Sequence, residues 1–282
     1  MTPDEYAFLQ QFLQQKSGLV LAEDKQYLVE SRLTPIARAA GLNGLSALVA
    51  CLQEEDRPRL ADAIIEAMVT NESFFFRDRK PFLAFSEEMV PALRERRPNK
   101  KMRIWSAAAA HGQEPYSLAM LVKEQQQHMP GWSFEICATD ISKAAIAKAE
   151  TGLYSQFEVQ RGMPIQMLID NFDQREEMWQ VKPEVRAMVK FAAANLIEDF
   201  TQLGSFDVIF CRNVLIYFDQ EIRNKVLSNL CKSLAPDGYL VLGAAESIVG
   251  TDLDLQPAGN FHGLFQFGAS REQSAPTLRA VS

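Results

Sequence analysis

Over roughly the first 95 residues, apolar positions recur at helical spacing. In PDEYAFLQQFLQQKSG they fall three and four apart and the stretch stops at Gly18, which predicts a helix. AEDKQYLVESRLTPIARAAG predicts a second helix ending at Gly41, with Pro35 kinking or dividing it. GLSALVACLQEE and PRLADAIIEAMVT predict two more. DRKPFLAFSEEMVPALRERR predicts another, leading into the polar linker RRPNKKMR. From about residue 102 the pattern becomes strand, loop, helix, repeated. MRIWSAA, FEICATD, the start of FDVIFCRNVLIYF, and GYLVLGAAE read as strands; EPYSLAMLVKEQQQH, SKAAIAKAE and QEIRNKVLSNLCKSLAPDG read as helices. Apolar strands alternating with amphipathic helices predict a mostly parallel sheet covered on both faces. GNFHGLFQF supplies a candidate antiparallel strand, and GASREQSAPTLRAVS reads as a disordered tail.

The interval from about 151 to 190 exceeds the usual βα loop of about 2–6 residues. It holds a helix-like piece, MPIQMLIDNF, and two strand-like pieces around Pro183, EEMWQV and EVRAMVKF. These predict a small β-subdomain inserted into the sheet domain. The expected organisation is α/β: an all-α domain over 1–95 with a linker to about 101, a sheet domain over 102–268 carrying the insertion at about 151–190, and a tail over 269–282.

A chain of 282 residues with 47% hydrophobic content can bury a sizeable core, in one large domain or two ordinary ones. The net charge of −7 argues against nucleic acid, which needs a basic footprint. MTPDEYAFLQ has no basic stretch followed by a long apolar core, so no signal peptide is expected, and no apolar run approaches the roughly 18 residues of a membrane span. The four cysteines form no CxxC pair and read as core residues of a protein in the reducing cytoplasm. His128 and His262 show no metal-ligand spacing, so no metal is expected.

The candidate chemistry lies in WSAAAAHGQEPYS, Trp105 to Ser117, where a strand runs into four alanines and then a helix start at Pro115. In an open parallel sheet, ligands bind beyond the carboxyl ends of the strands. Small residues there let a ligand approach the backbone, and Glu114 becomes a polar hook at the rim. Asp140 ends the next strand, where a carboxylate can accept from the two hydroxyls of a ribose. The pair suggests an adenosine-containing ligand. A dinucleotide would want GxGxxG with an acid about 20 residues on; this loop has one glycine, and Asp140 lies well beyond that spacing. S-adenosylmethionine (SAM), cationic and without phosphate, fits better.

TNESFFFRD (Thr70 to Asp78), RIWSAAAAHGQEPYSLAM (Arg103 to Met120), ATDIS (Ala138 to Ser142), AANLIED (Ala193 to Asp199) and FDVIFCRNVLIYFD (Phe206 to Asp219) follow in this order. Together they resemble the CheR family of chemotaxis receptor methyltransferases, over about residues 5 to 268. The resemblance implies a Rossmann-like SAM-dependent methyltransferase domain with an inserted antiparallel β-subdomain, preceded by an all-α domain. It implies transfer of the SAM methyl group to glutamate side chains of chemoreceptors, giving methyl esters and S-adenosylhomocysteine, in a cytoplasmic, monomeric enzyme. By motif position, Asn71, Ser73 and Arg77 contact the cofactor. Glu114 holds its methionine end, Asp140 its ribose, Asn195 and Leu196 its adenine, and Asn213 and Val214 complete the pocket. Tyr217 and Arg94 lie near the reacting methyl group. Lys25, Arg32 and Arg38, on a helix that is basic in the family, face the glutamate-rich methylation helices of the receptor.

The sequence departs from the family where Ala109, Ala110 and His111 replace the common Cys, Ser or Thr, and where Ser73 replaces a threonine. His111 tempts as a base, but a substrate carboxylate is already an anion near pH 7 and none is needed. In some members the β-subdomain adds a receptor's C-terminal pentapeptide to its sheet edge, through a glycine-containing loop. Here NFDQREEMWQVKPEV has no glycine, and Pro183 removes a donor from any edge it occupies. The expectation is an enzyme independent of such a tether. The alternatives are a CheR-like module that binds SAM or receptor without turnover, and a SAM enzyme acting on another substrate.

Overall fold

Four helices open the chain in the computed structural model, which describes residues 1–54 and 57–268. Helix α1 (Pro3–Ser17) begins at a capping box between Thr2 and Glu5 and ends at Gly18 in the left-handed region. It is followed by α2 (Gln26–Ala39), α3 (Leu45–Glu54) and α4 (Pro58–Met68). Pro35 lies inside α2 without dividing it. Val29, Leu33 and Ala37, on both sides of the proline, are buried on one face, so packing outweighs the lost backbone hydrogen bond. Leu9, Leu13, Leu48 and Ile64 complete this separate core.

The next helical segment, placed above with the N-terminal domain, packs elsewhere. Lys80–Ala84, Phe85–Met89 and Val90–Arg96 run on from one another, the middle five residues in wider π geometry. Pro91 has no N–H to continue a regular ladder, and the π turn ahead of it absorbs the mismatch. Phe82, Phe85, Met89 and Leu93 are buried with the sheet residues Met102, Ile104 and Phe210. The helical unit therefore ends near residue 70, not 95.

The main sheet contains β1 (Lys101–Ser106), β2 (Ser133–Asp140), β6 (Val189–Ala193), β7 (Phe206–Cys211), β8 (Leu234–Leu242), β9 (Leu255–Pro257) and β10 (Leu264–Phe267), in the order β6-β2-β1-β7-β8-β10-β9. The pairs from β6 to β8 are parallel, and β10 runs antiparallel to β8 and β9. The order reverses at β1, so chain leaves its two sides in opposite directions and opens a crevice above its carboxyl end. The helix expected over 220–238 stops at Ser233. Pro236 cannot extend it, and the chain instead pairs Leu234 with Phe206 ahead of a bulge.

Between β2 and β6 a second sheet forms from β3 (Leu153–Ser155), β4 (Phe172–Arg175) and β5 (Met178–Val181), in the antiparallel order β3-β5-β4. EEMWQV supplies β5 as expected. EVRAMVKF does not belong to this sheet: Pro183–Arg186 is a helical turn with Pro183 at its start, and Val189 onward forms β6 of the main sheet. Pro183 therefore blocks no strand edge. Glu176 and Glu177 alone connect β4 to β5, with Glu176 at φ +54°. The tail expected over 269–282 lies outside the described residues.

Candidate active site

A cleft lies over the carboxyl ends of the central strands. Its floor is Ala107, Ala108 and Ala110. The Ala107 N–H bonds to Phe210 O (2.8 Å) and Ala109 N–H to Thr139 O (2.9 Å), so the run crosses between strand ends without side chains filling the space above. Ala110 is held at φ +48° and Gly112 at φ +91°. A Cβ at Gly112 would lie 2.9 Å from Ala149 Cβ and 3.0 Å from the Tyr154 hydroxyl. Glycine is required there both by conformation and by space. The helix Gln113–Gln126 starts directly after it.

Two acids face this floor. Asp140, 8% exposed at the end of β2, accepts from Ala110 N–H at Oδ2 (2.8 Å) and Ser142 N–H at Oδ1 (2.9 Å). Burial raises its pKa above the ordinary aspartate value, against the pull of these amides. Each oxygen keeps a further lone pair for a ligand hydroxyl. Glu114, 7% exposed, accepts from Ser106 Oγ at Oε1 (2.8 Å) and from Arg212 Nη1 at Oε2 (2.9 Å).

Arg212 follows β7 and is 5% exposed. It also donates through Nη2 to Asp78 Oδ2 (2.6 Å) and to Arg77 O (3.0 Å), with its guanidinium 5.7 Å from the Phe82 ring centre. It ties Glu114 to Arg77 and Asp78, which follow the segment after α4. That segment, Val69–Ser73, forms one cleft wall, and Arg32 fixes its start by donating to the carbonyls of Ala67, Met68 and Val69. Arg77 Nη1 donates to Glu72 O (3.1 Å), while the Glu72 carboxylate pairs with Arg161 instead. Among the described residues no carboxylate pairs with Arg77. Phe75 and Phe76 are core residues; Phe74 lies between Arg77 and Arg161.

Opposite, Asn195 and Leu196 follow β6, and Asn213, Val214 and Tyr217 follow β7. The Asn195 amide donates to Lys16 O (2.8 Å), tying the end of α1 to this rim. Asn213 sits at φ +59°. The Tyr217 carbonyl accepts from Val20 N–H (2.9 Å). The structure thus brings Asn71, Ser73, Arg77, Glu114, Asp140, Asn195, Leu196, Asn213, Val214 and Tyr217 onto one cleft.

Other expected residues fall elsewhere. Arg94 is exposed on Val90–Arg96 and does not line the cleft. Lys25 belongs to the turn before α2, beside Asp24 (3.3 Å), and not to the helix. Arg32 is spent on the α4 carbonyls; of the other two proposed docking cations, Arg38 is exposed, and Lys25 is half-buried beside Asp24 and 6.0 Å from the Tyr27 ring centre. His111 lines a neighbouring hollow with Phe74 and Lys148, and burial lowers its pKa. Sequence reasoning missed Arg212, although a lone arginine directly after the apolar strand FDVIFC was a usable signal. It also missed Glu246, whose role depends on contacts distant in the chain.

The alanine floor, a carboxylate with spare lone pairs at a strand end, an arginine free of a carboxylate, and the absence of a phosphate cradle fit SAM. The protein is a SAM-dependent methyltransferase. The chain belongs to the CheR methyltransferase family: residues 4–69 match the all-alpha domain of that family and residues 71–260 its SAM binding domain. It is 42% identical to the chemotaxis protein methyltransferase of Vibrio anguillarum, covering 89% of this chain and 91% of that one. It is 38% identical to chemotaxis protein methyltransferase Cher2 of Pseudomonas putida (85% and 88%) and 33% identical to the chemotaxis protein methyltransferase of Salmonella typhimurium (84% and 81%).

Proposed function

We propose that this enzyme methylates glutamate side chains of chemoreceptors, forming methyl esters and S-adenosylhomocysteine. The observation that carries the reading is the convergence of the family's cofactor motifs on one cleft, walled partly by the N-terminal helical unit. SAM supplies an electrophilic methyl group: as the substrate carboxylate oxygen gains its bond to carbon, the carbon–sulfur bond breaks and the electron pair stays on sulfur. A glutamate is already deprotonated near pH 7, so the chain's task is alignment and exclusion of water. Positioning of this kind can supply about 7–11 kcal/mol.

In this reading Asp140 accepts from the ribose hydroxyls and Glu114 holds the amino end of the methionine moiety. Arg77 takes the cofactor carboxylate, helped by Asn71 and Ser73. Asn195 and Leu196 flank the adenine; with its amide tied to Lys16, Asn195 does so by packing more than by hydrogen bonding. Asn213 and Val214 close the pocket, and Tyr217 borders the reacting group.

Receptor docking falls to Arg38, exposed on α2, and the half-buried Lys25 before it, cations on an acidic protein. Reversing both to glutamate raises KM for receptor, more at low salt than at high, and leaves SAM affinity unchanged. The enzyme works without a pentapeptide tether, because a two-residue turn joins β4 to β5 and leaves no loop to embrace a peptide. Micromolar binding of a receptor C-terminal pentapeptide at residues 151–190 would overturn that. The function itself is tested by labelled methyl-SAM with receptor-containing membranes. Base-labile label on receptor is the expected result; label on RNA, or none, removes the reading.

A further inference from the structure

Glu246 lies just beyond β8, outside the lining of the cleft. Its carboxylate accepts four backbone N–H groups. Oε2 takes Gly243 (2.7 Å) and Asn213 (2.8 Å); Oε1 takes Val214 (2.8 Å) and Leu215 (2.7 Å). Three of these donors belong to the loop after β7, which carries Asn213 and Val214 into the cleft wall and Tyr217 to its edge. The loop has no strand partner there, and Asn213 is held at φ +59° in the left-handed region, which asparagine enters more readily than most side chains.

The neighbouring backbone is shaped around this carboxylate. A Cβ at Gly243 would stand 2.6 Å from Glu246 Oε2 and 3.0 Å from Asn213 N. Gly243 is therefore the residue that lets β8 approach closely enough for one side chain to reach both loops. An ionised carboxylate offers acceptors only, and bonds to it are shorter and stronger than neutral ones. A glutamine of the same size would turn an NH₂ group towards N–H donors.

We propose that Glu246 is a positioning residue: it clamps the Asn213–Leu215 backbone from behind and so sets both the cofactor wall and the approach of Tyr217. The inference rests on the reading of the cleft as the cofactor site, and the test separates the two. Calorimetric titration of SAM into the full-length protein establishes whether the cleft binds; no binding by wild type would indict that reading, while amide exchange still reports on the clamp. In Glu246→Gln, the Kd for SAM rises tenfold or more and kcat on receptor membranes falls at least tenfold. Glu246→Asp, which keeps two anionic oxygens, recovers part of both. A merely structural role would lower Tm and the active fraction but leave the Kd of the folded protein unchanged, so a Kd within twofold of wild type overturns the proposal. Should the glutamine variant fail to fold, amide exchange in the wild-type protein decides. Residues 213, 214, 215 and 243 then exchange at least a hundredfold slower than an open loop; exchange at open-loop rates overturns the clamp.

Discussion

Replacing Arg212 by methionine isolates the buried ion pair of the site. The arginine side chain is 1% exposed, and its partners differ: the Glu114 side chain is 10% exposed and that of Asp78 41%. Removing one member of a buried ion pair costs about 3–5 kcal/mol, because the other charge stays buried without compensation. Asp78 adds little, since an exposed pair contributes about 0–1 kcal/mol after solvent screening. Two effects offset the loss. The guanidinium no longer has to be desolvated, and its buried Nε, which has no hydrogen-bond partner among the described residues, disappears. Glu114 also keeps the Ser106 hydroxyl. A net loss of about 3 kcal/mol follows, a large part of a typical total of about 5–15 kcal/mol. At about 2–4 °C per kcal/mol for a domain of this size, Tm falls by about 6–12 °C. Urea and thermal unfolding followed by circular dichroism measure this. Adding Glu114→Gln to the methionine variant removes the stranded charge and restores most of the loss. A loss below about 1 kcal/mol, or strict additivity of the two substitutions, refutes the reasoning.

Asp140→Ala weakens SAM binding roughly 5- to 150-fold by calorimetry, the equivalent of about 1–3 kcal/mol for a lost buried partner; wild-type affinity sinks the ribose assignment. Because burial raises the Asp140 pKa, wild-type affinity declines on acidification before an ordinary aspartate would protonate, and the ionised form is a stability cost to the free protein that acid relieves as pH falls through the raised value. Arg32→Met weakens SAM binding, because the carbonyls that start the Val69–Ser73 wall lose their donor; unchanged affinity with raised receptor KM would return this residue to receptor docking. Arg97 joins Asp207 (2.7 Å) and Asp237 (2.6 Å) at low exposure, so Arg97→Ala costs about 3 kcal/mol at neutral pH. Burial alone would raise the pKa of Asp237, but the Arg97 bonds outweigh it and hold the value low. Its contribution is therefore present above the unfolded pKa and fades only as pH falls through the depressed folded value, which acid unfolding of wild type and variant compares. His111→Ala retains most turnover at unchanged SAM affinity; a loss of several hundredfold would reveal a catalytic group.

The periodic elements were legible because their signals are local. Gly18, Pro58 and the alanine run mark boundaries by their own backbone preferences, and the acids at positions 114 and 140 reach the cleft simply by standing at strand ends. What was not legible depended on partners distant in the chain. MVKF looked like part of the insertion because a short apolar run carries no label for the sheet it joins; Val189 pairs with Ile136 in β2. Helical periodicity in Lys80–Arg96 gave no hint that its apolar face would meet Phe210 and not Leu33. Arg32 was expected to face the receptor, yet the last carbonyls of α4 were the nearer unmet need. Glu246, one glutamate among many, is distinguished only by four amides that three-dimensional proximity supplies.

The N-terminal helical unit is built into the cleft, not appended to it. Ser17, Leu19 and the Val69–Ser73 segment form part of the wall. Ties on both flanks hold it there: Gln14 Nε2 to Asp219, Lys16 O from Asn195, and Val20 N–H to the Tyr217 carbonyl on one side. On the other side, the Glu66 carboxylate accepts from Ser142 Oγ and Ala144 N–H at the start of the helix that follows Asp140. A carboxylate at a helix N-terminus is favourable in its own right, so this tie stabilises the sheet domain and the interface together. Helix α2 adds the last connection. Its outer face carries Arg38, and its Arg32 reaches across to the α4 carbonyls from which the wall segment departs. A protein docked on the outer face of α2 would therefore bear on an element one side chain removed from the cofactor wall. In a fold whose site lies between two packed units, a substitution on this helix has to be read by both affinities, for SAM and for receptor, before it is assigned to either.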